Sequence, residues 1–145
     1  MCNMLTEKDY CDYETCVALK ELGYKVPTSA YYMPKNSQLI FVINQFRGGA
    51  AMDCFYSNNS LPKECMGSDF IDAPTMWEAQ KWLREEKGLF VEVVMSYGKY
   101  DFDICSTKLE QNMTHKILCE ICGFESYEEA LLEGIKEAIK ILKEK

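Results

Sequence analysis

DAPTMWEAQKWLREEKGLFVEVV, residues Asp72 to Val94, decides the fold: it reads as a capped helix running straight into a strand. Thr75 and Glu78 have the spacing of a capping box, in which the hydroxyl takes an unpaired N–H of the first turn and the carboxylate reaches back to the cap's own N–H. Pro74 closes the extended segment before the helix, and Gly88 stops the helix before the strand. At about 100° per residue, Met76, Ala79, Trp82 and Leu83 fall on one stripe, with Glu78, Lys81, Arg84 and Glu85 opposite. That stripe is predicted to be buried. Trp77 falls on the polar side, so the helix carries one large aromatic that its own core face does not explain.

Downstream, Leu89 to Tyr97 reads as the central strand, with Gly98-Lys99 as a two-residue turn into a second arm, Tyr100 to Ser106. This register pairs Tyr97 with Tyr100, Met95 with Phe102 and Val93 with Ile104 on the core face. Glu92, Val94, Ser96, Asp101, Asp103 and Cys105 then share the reverse face, which is mixed and acidic. Residues 114 to 122 alternate as a further strand. The last helix opens with Ser126 and Glu129, a second capping pair, and gathers lysines in its final turns, where they complement the helix dipole. Its apolar arc, Tyr127, Ala130, Leu131, Gly134, Ile135, Ala138, Ile141 and Leu142, is widened by Leu132 and Ile139 to about 200°, more than one sheet face requires. Leu132 and Ile139, with Trp77, are therefore candidate contacts for a protein partner or a homodimer. Gly134 in mid-helix costs stability unless something approaches closely there.

Towards the N-terminus, Glu7 to Leu22 reads as a helix begun by Thr6 and Asp9 and stopped by Gly23. On it Cys11 and Cys16 would point about 140° apart. Residues 30 to 33 read as a short edge strand and Leu39 to Phe46 as a strand, with a hairpin turn at Gly48-Gly49 and a second arm from Ala50 to Tyr56. Residues 57 to 69 are turn-rich without an evident element.

Length and composition point to one domain: 145 residues, 48% hydrophobic and 27% charged, enough to bury a core without staples. The net charge of −7 argues against nucleic acid, since phosphate neutralisation supplies most of that affinity. No apolar run has the length of a membrane span, and the first residues lack a secretory pattern, so a cytoplasmic location is expected. The eight cysteines are then expected to be free thiols acting as small apolar residues, with no bridges.

Cys119-Glu120-Ile121-Cys122-Gly123 has the C-x-x-C-G form of a zinc knuckle, with His115 nearby. A structural zinc site needs four ligands, and the chain has no second C-x-x-C; a strand over 114 to 122 would also point Cys119 and Cys122 to opposite faces. Zinc bound by Cys119, Cys122 and His115 is thus the alternative to a chain without cofactor. Glu92, Asp101 and Asp103 converging on one sheet face are read as a solvated outer face before a cation or acid–base site. His115 is the single histidine, and neither phosphate-binding glycine motif occurs. Tyr31, Tyr32, Phe55, Tyr56 and Trp77 are read as packing before recognition. No catalytic residue is assigned; a small enzyme would need a cleft near residues 57 to 70.

Two motifs carry a resemblance. Ala73-Pro74-Thr75 with Ala79-Gln80-Lys81-Trp82-Leu83-Arg84-Glu85 and Lys87-Gly88, together with Ser126-Tyr127-Glu128-Glu129-Ala130-Leu131 and Gly134, resemble the signature of small uncharacterised proteins of gut Bacteroidales and their phages or mobile elements. The resemblance covers about a fifth of the chain and implies no activity, so it transfers no functional residue. The expectation is one α+β domain, an antiparallel sheet packed on two or three helices, acting as a non-catalytic binding module.

Overall fold

The computed structural model describes residues 6–43, 60–62 and 70–144. In chain order they form a single 3₁₀ turn (Glu7–Asp9), α1 (Tyr13–Glu21), β1 (Ala30–Met33), β2 (Gln38–Ile43), β3 (Ser60–Pro62), β4 (Ile71–Asp72), α2 (Met76–Glu86), β5 (Leu89–Ser96), β6 (Lys99–Leu109), β7 (His115–Phe124) and α3 (Tyr127–Lys143). The class is α+β, as expected. The single sheet of the sequence reading is two sheets, and the chain divides at Thr75 into two compact units: residues 10–74, and residues 75–144 with the turn at 6–9. No helix among the described residues is long and apolar enough to cross a membrane.

In the C-terminal unit the capping box is complete: Thr75 Oγ1 accepts from Glu78 N–H, and Glu78 Oε1 accepts from Thr75 N–H at 2.9 Å. Met76, Ala79, Trp82 and Leu83 are buried, the predicted stripe. Gln80 Nε2 donates to the Val91 carbonyl at 2.6 Å, which ties α2 to β5. β5, β6 and β7 make an antiparallel sheet in that order, and α3 packs on it and on α2. The core is Leu89, Val91, Phe102 and Ile104 of the sheet with Ala130, Leu131, Ile135 and Ala138 of α3. Each large side chain buried here contributes about 1.5–3 kcal/mol.

The hairpin turn lies one residue earlier than the sequence reading placed it. Tyr97 and Gly98, with φ of 50° and 78°, occupy the two central positions, the signature of a type I′ turn. Val93 therefore pairs with Phe102, Met95 with Tyr100 and Val91 with Ile104. The shift moves every partner by two residues, so the strand residues keep their alternation, but the expected core face stops short of the hairpin tip: Tyr97 lies in the turn, fully exposed, and Met95 is 72% exposed.

In the N-terminal unit, the helix predicted over Glu7 to Leu22 is interrupted. Asp9 Oδ2 accepts from Thr6 N–H at 2.7 Å but caps only one turn, and α1 begins afresh after Asp12, whose Oδ1 accepts from Thr15 N–H at 2.9 Å. Between them Cys11 belongs to neither helix and donates its N–H to the Pro74 carbonyl at 3.0 Å. The four-stranded sheet runs β3-β2-β1-β4, antiparallel except for the parallel β2–β3 pair. β1, read as an edge strand, lies inside the sheet between β2 and β4. Tyr10 meets Phe41, and Tyr13 meets Tyr32, edge to face. The predicted Gly48-Gly49 turn and the Ala50 to Tyr56 arm lie outside the described residues.

Candidate functional site

The face of the β5–β6–β7 sheet opposite the buried one carries a row of carboxylates. Glu92 lies directly across from Asp103, and Asp103 directly across from Glu120, one acid from each strand. Asp101, opposite Val94, is two residues along β6 on the same face. Among the described residues none of Glu92, Asp103 and Glu120 has an ion pair, whereas Lys99 pairs with Glu125, Lys136 with Glu133 and Lys140 with Glu137. Like charges set directly opposite on a sheet are destabilising by a few tenths of a kcal/mol to about 1 kcal/mol. Cys105, in the neighbouring row, reports the field: burial first, then Asp103, Glu92 and Glu120, push its thiol upward.

Apolar side chains stand among these acids. Val94 is 38% and Ile117 53% exposed, and Ile117 pairs with Cys105 on this face. Phe90, also across from Cys105, has the Arg84 guanidinium 5.7 Å from its ring centroid. The sequence reading grouped Glu92, Asp101 and Asp103; it missed Glu120, whose place beside Asp103 depends on the β6–β7 register.

The cysteine pair of the zinc alternative is separated by its strand. The Cys119 thiol is raised by burial first and then by Glu137 of α3, whereas the Cys122 thiol is raised first by the Asp101 carboxylate on the other face. The glycine of the motif has its own explanation. Between the pairs Tyr100–Phe124 and Phe102–Ile121 β7 carries one extra residue, a bulge, and Gly123 takes φ of 92° there, where a side chain would be strained. Its N–H donates to Asp101 Oδ1 at 3.1 Å. His115 is at the far end of β7, with Nδ1 2.9 Å from the Ser106 carbonyl. Among the described residues no three His, Cys, Asp or Glu side chains gather around a common point to hold a metal ion.

No family model, curated protein or solved structure matches this chain. The surface of the unit is therefore the ground for a functional reading.

Of the three helix candidates for partner contact, Trp77 is 39% exposed, Leu132 is half-buried and Ile139 is 5% exposed. Ile139 is thus corrected from an interface residue to a core one. The arc is wide because α3 has two kinds of neighbour, the sheet and α2, where the sequence reading allowed it one. Tyr32 of the aromatic set is buried, with its hydroxyl donating to the Cys11 carbonyl at 2.8 Å; Phe55 and Tyr56 lie outside the described residues, as does most of the 57 to 70 segment proposed for a cleft.

Proposed function

We propose that this protein is a small non-catalytic binding module that works through protein contacts, and that the outer face of β5–β6–β7 makes the contact. One observation carries the reading: three carboxylates stand in directly opposed register with no ion pair to a cation among the described residues, beside exposed Val94 and Ile117. A face that only needed to be wet would alternate charge signs, which is stabilising across strands. A basic partner with apolar residues between its charges would relieve the repulsion and cover the apolar side chains. A second copy of the same face would bring two carboxylate rows together, so the surface favours a different protein over a homodimer. The expected cytoplasmic location and the absence of a cofactor belong to this same proposal, and the gut Bacteroidales resemblance adds no ligand to it.

The test uses two synthetic octapeptides, alternating Lys-Val and alternating Glu-Val, titrated calorimetrically against the whole chain. The Lys-Val peptide is expected to bind, more weakly at about 0.5 M salt than at about 0.05 M, as screening shortens the reach of surface charges. The Glu-Val peptide is not. The triple variant Glu92→Gln, Asp103→Asn, Glu120→Gln is expected to lose about ten-fold or more in affinity, about 1.4 kcal/mol, the worth of one to three partly desolvated charge contacts. Equal binding by the triple variant would remove the reading.

A further inference from the structure

Cys11 and Cys16 meet because of how α1 begins. With Asp12 as the N-cap and Tyr13 as the first helical residue, Cys11 stands just before the cap and Cys16 at the fourth helical position. These two positions form the hydrophobic staple of a helix start, whose side chains pack on each other and set the entry angle of the chain. Here both members are cysteines and both are fully buried. The Cys16 thiol donates to the Cys11 carbonyl at 3.6 Å, which sets its sulfur against the Cys11 residue. Cys11 is held in place by its N–H to the Pro74 carbonyl and by the Tyr32 hydroxyl on its own carbonyl. Read as one continuous helix, the same two residues would point apart.

We propose that this thiol staple is a redox site: Cys11 and Cys16 close into an intrachain disulfide when a small-molecule disulfide oxidises them. One cysteine, as thiolate, attacks the small disulfide, forming a mixed disulfide and releasing one small thiol. The other cysteine then attacks the mixed disulfide and releases the second. The protein loses two electrons and two protons, and the oxidant becomes two thiols. The Cys11 side chain first, and burial second, hold the Cys16 thiol protonated in the folded state, which keeps the closed core inert. Reaction therefore runs through opening of the first turn of α1, a local event that needs less than global unfolding. The product would lock the start of α1, and the compartment's redox state would decide whether the lock is shut.

Oxidised glutathione is the probe. Trypsin releases residues 9–20, DYCDYETCVALK, which contains both cysteines and no others. After incubation of the whole chain at pH 8, this peptide is expected to be two hydrogens lighter and free of glutathione. Closure should be slow in buffer and accelerate about ten-fold in urea below the unfolding transition. Asp12→Ala, which removes the cap, should accelerate it about five-fold in buffer, the equivalent of about 1 kcal/mol of cap stability. Wild type in urea serves if that variant fails to fold. The proposal is overturned if both thiols stay free under all these conditions, if each carries glutathione without linking, or if either links to a different cysteine.

Discussion

A methyl group added to Gly134 would stand 2.5 Å from Cγ1 of Val91, closer than such carbons approach, with Phe102 Cγ next at 3.2 Å. The obstacle is a β-branched side chain that is fully buried, so it has no free rotamer to yield into. α3 lies against β5 at the one helical position that has no side chain. In an exposed helix, Gly→Ala stabilises by about 1 kcal/mol; here overpacking opposes it with about 1–3 kcal/mol and the bulky neighbour is stiff. Gly134→Ala is therefore expected to lower stability, by up to about 2 kcal/mol, in urea unfolding. Val91→Ala in the same chain should recover part of the loss, a coupling that a double-mutant cycle reads directly. A stabilised Gly134→Ala would show that α3 does not sit this close.

That glycine was readable in advance as a cost awaiting a close approach, and so were the two helices around it, because caps and apolar stripes are local signals. Thr75, Glu78 and the Met76–Leu83 stripe needed no knowledge of the rest of the chain. What was not readable depended on partners distant in sequence. β1 is internal because β4, some forty residues on, pairs with it. Ile139 is buried because α3 has a helix neighbour as well as a sheet. Glu120 joins the acidic row only through a register that a bulge at Gly123 offsets by one residue. The break before α1 was missed because the Glu7 to Leu22 pattern is helical throughout, while the Asp12 cap and the Cys11 bond to Pro74 prevail over it.

The carboxylate row makes a stability claim independent of any partner. Asp103 faces Glu92 on one side and Glu120 on the other, so its neutralisation relieves two opposed pairs. Asp103→Asn is expected to raise stability by about 0.5–1 kcal/mol at low salt, and the gain should shrink towards zero at about 1 M salt as the repulsion is screened. A destabilised Asp103→Asn would mean the row is held by something other than its own repulsion.

Asp101 couples the Gly123 bulge to the exposed Cys122 thiol. Its carboxylate is the first cause of the raised Cys122 value, because a thiolate there would stand beside a negative charge. Asp101→Asn keeps an oxygen for the Gly123 N–H and removes the charge. The thiol should then titrate lower, leave more thiolate at pH 8, and react faster with iodoacetamide, as peptide mapping of Cys122 would show. An unchanged rate would separate the two residues.

Asp72 in β4 gives a pH dependence with a defined sign. Burial raises its carboxyl above the ordinary 3.8, with Lys20 opposing in part. A carboxyl raised on folding binds its proton more tightly in the native state, so its contribution is most favourable at low pH. That contribution is lost as pH rises from the unfolded value through the folded one. Asp72→Asn is expected to raise the melting temperature at pH 7 more than at pH 3, flattening the slope between them. Equal shifts at both pH values would assign the effect to packing instead.

The β5–β6 turn offers a gain with nothing to lose. Tyr97 occupies the first central position of a type I′ turn at φ of 50°, and its side chain is fully exposed. The left-handed region there is unfavourable for a bulky residue, whereas Asn tolerates it and Asn-Gly is the preferred pair for this turn. Because the ring is in water, its removal forfeits no burial. Tyr97→Asn is therefore expected to stabilise the chain by about 0.5–1 kcal/mol with the β5–β6 register unchanged, measured by urea midpoint and by cross-strand NMR contacts between Met95 and Tyr100. A loss of stability would instead mean that the tyrosine ring makes a contact within the chain that its exposure denies.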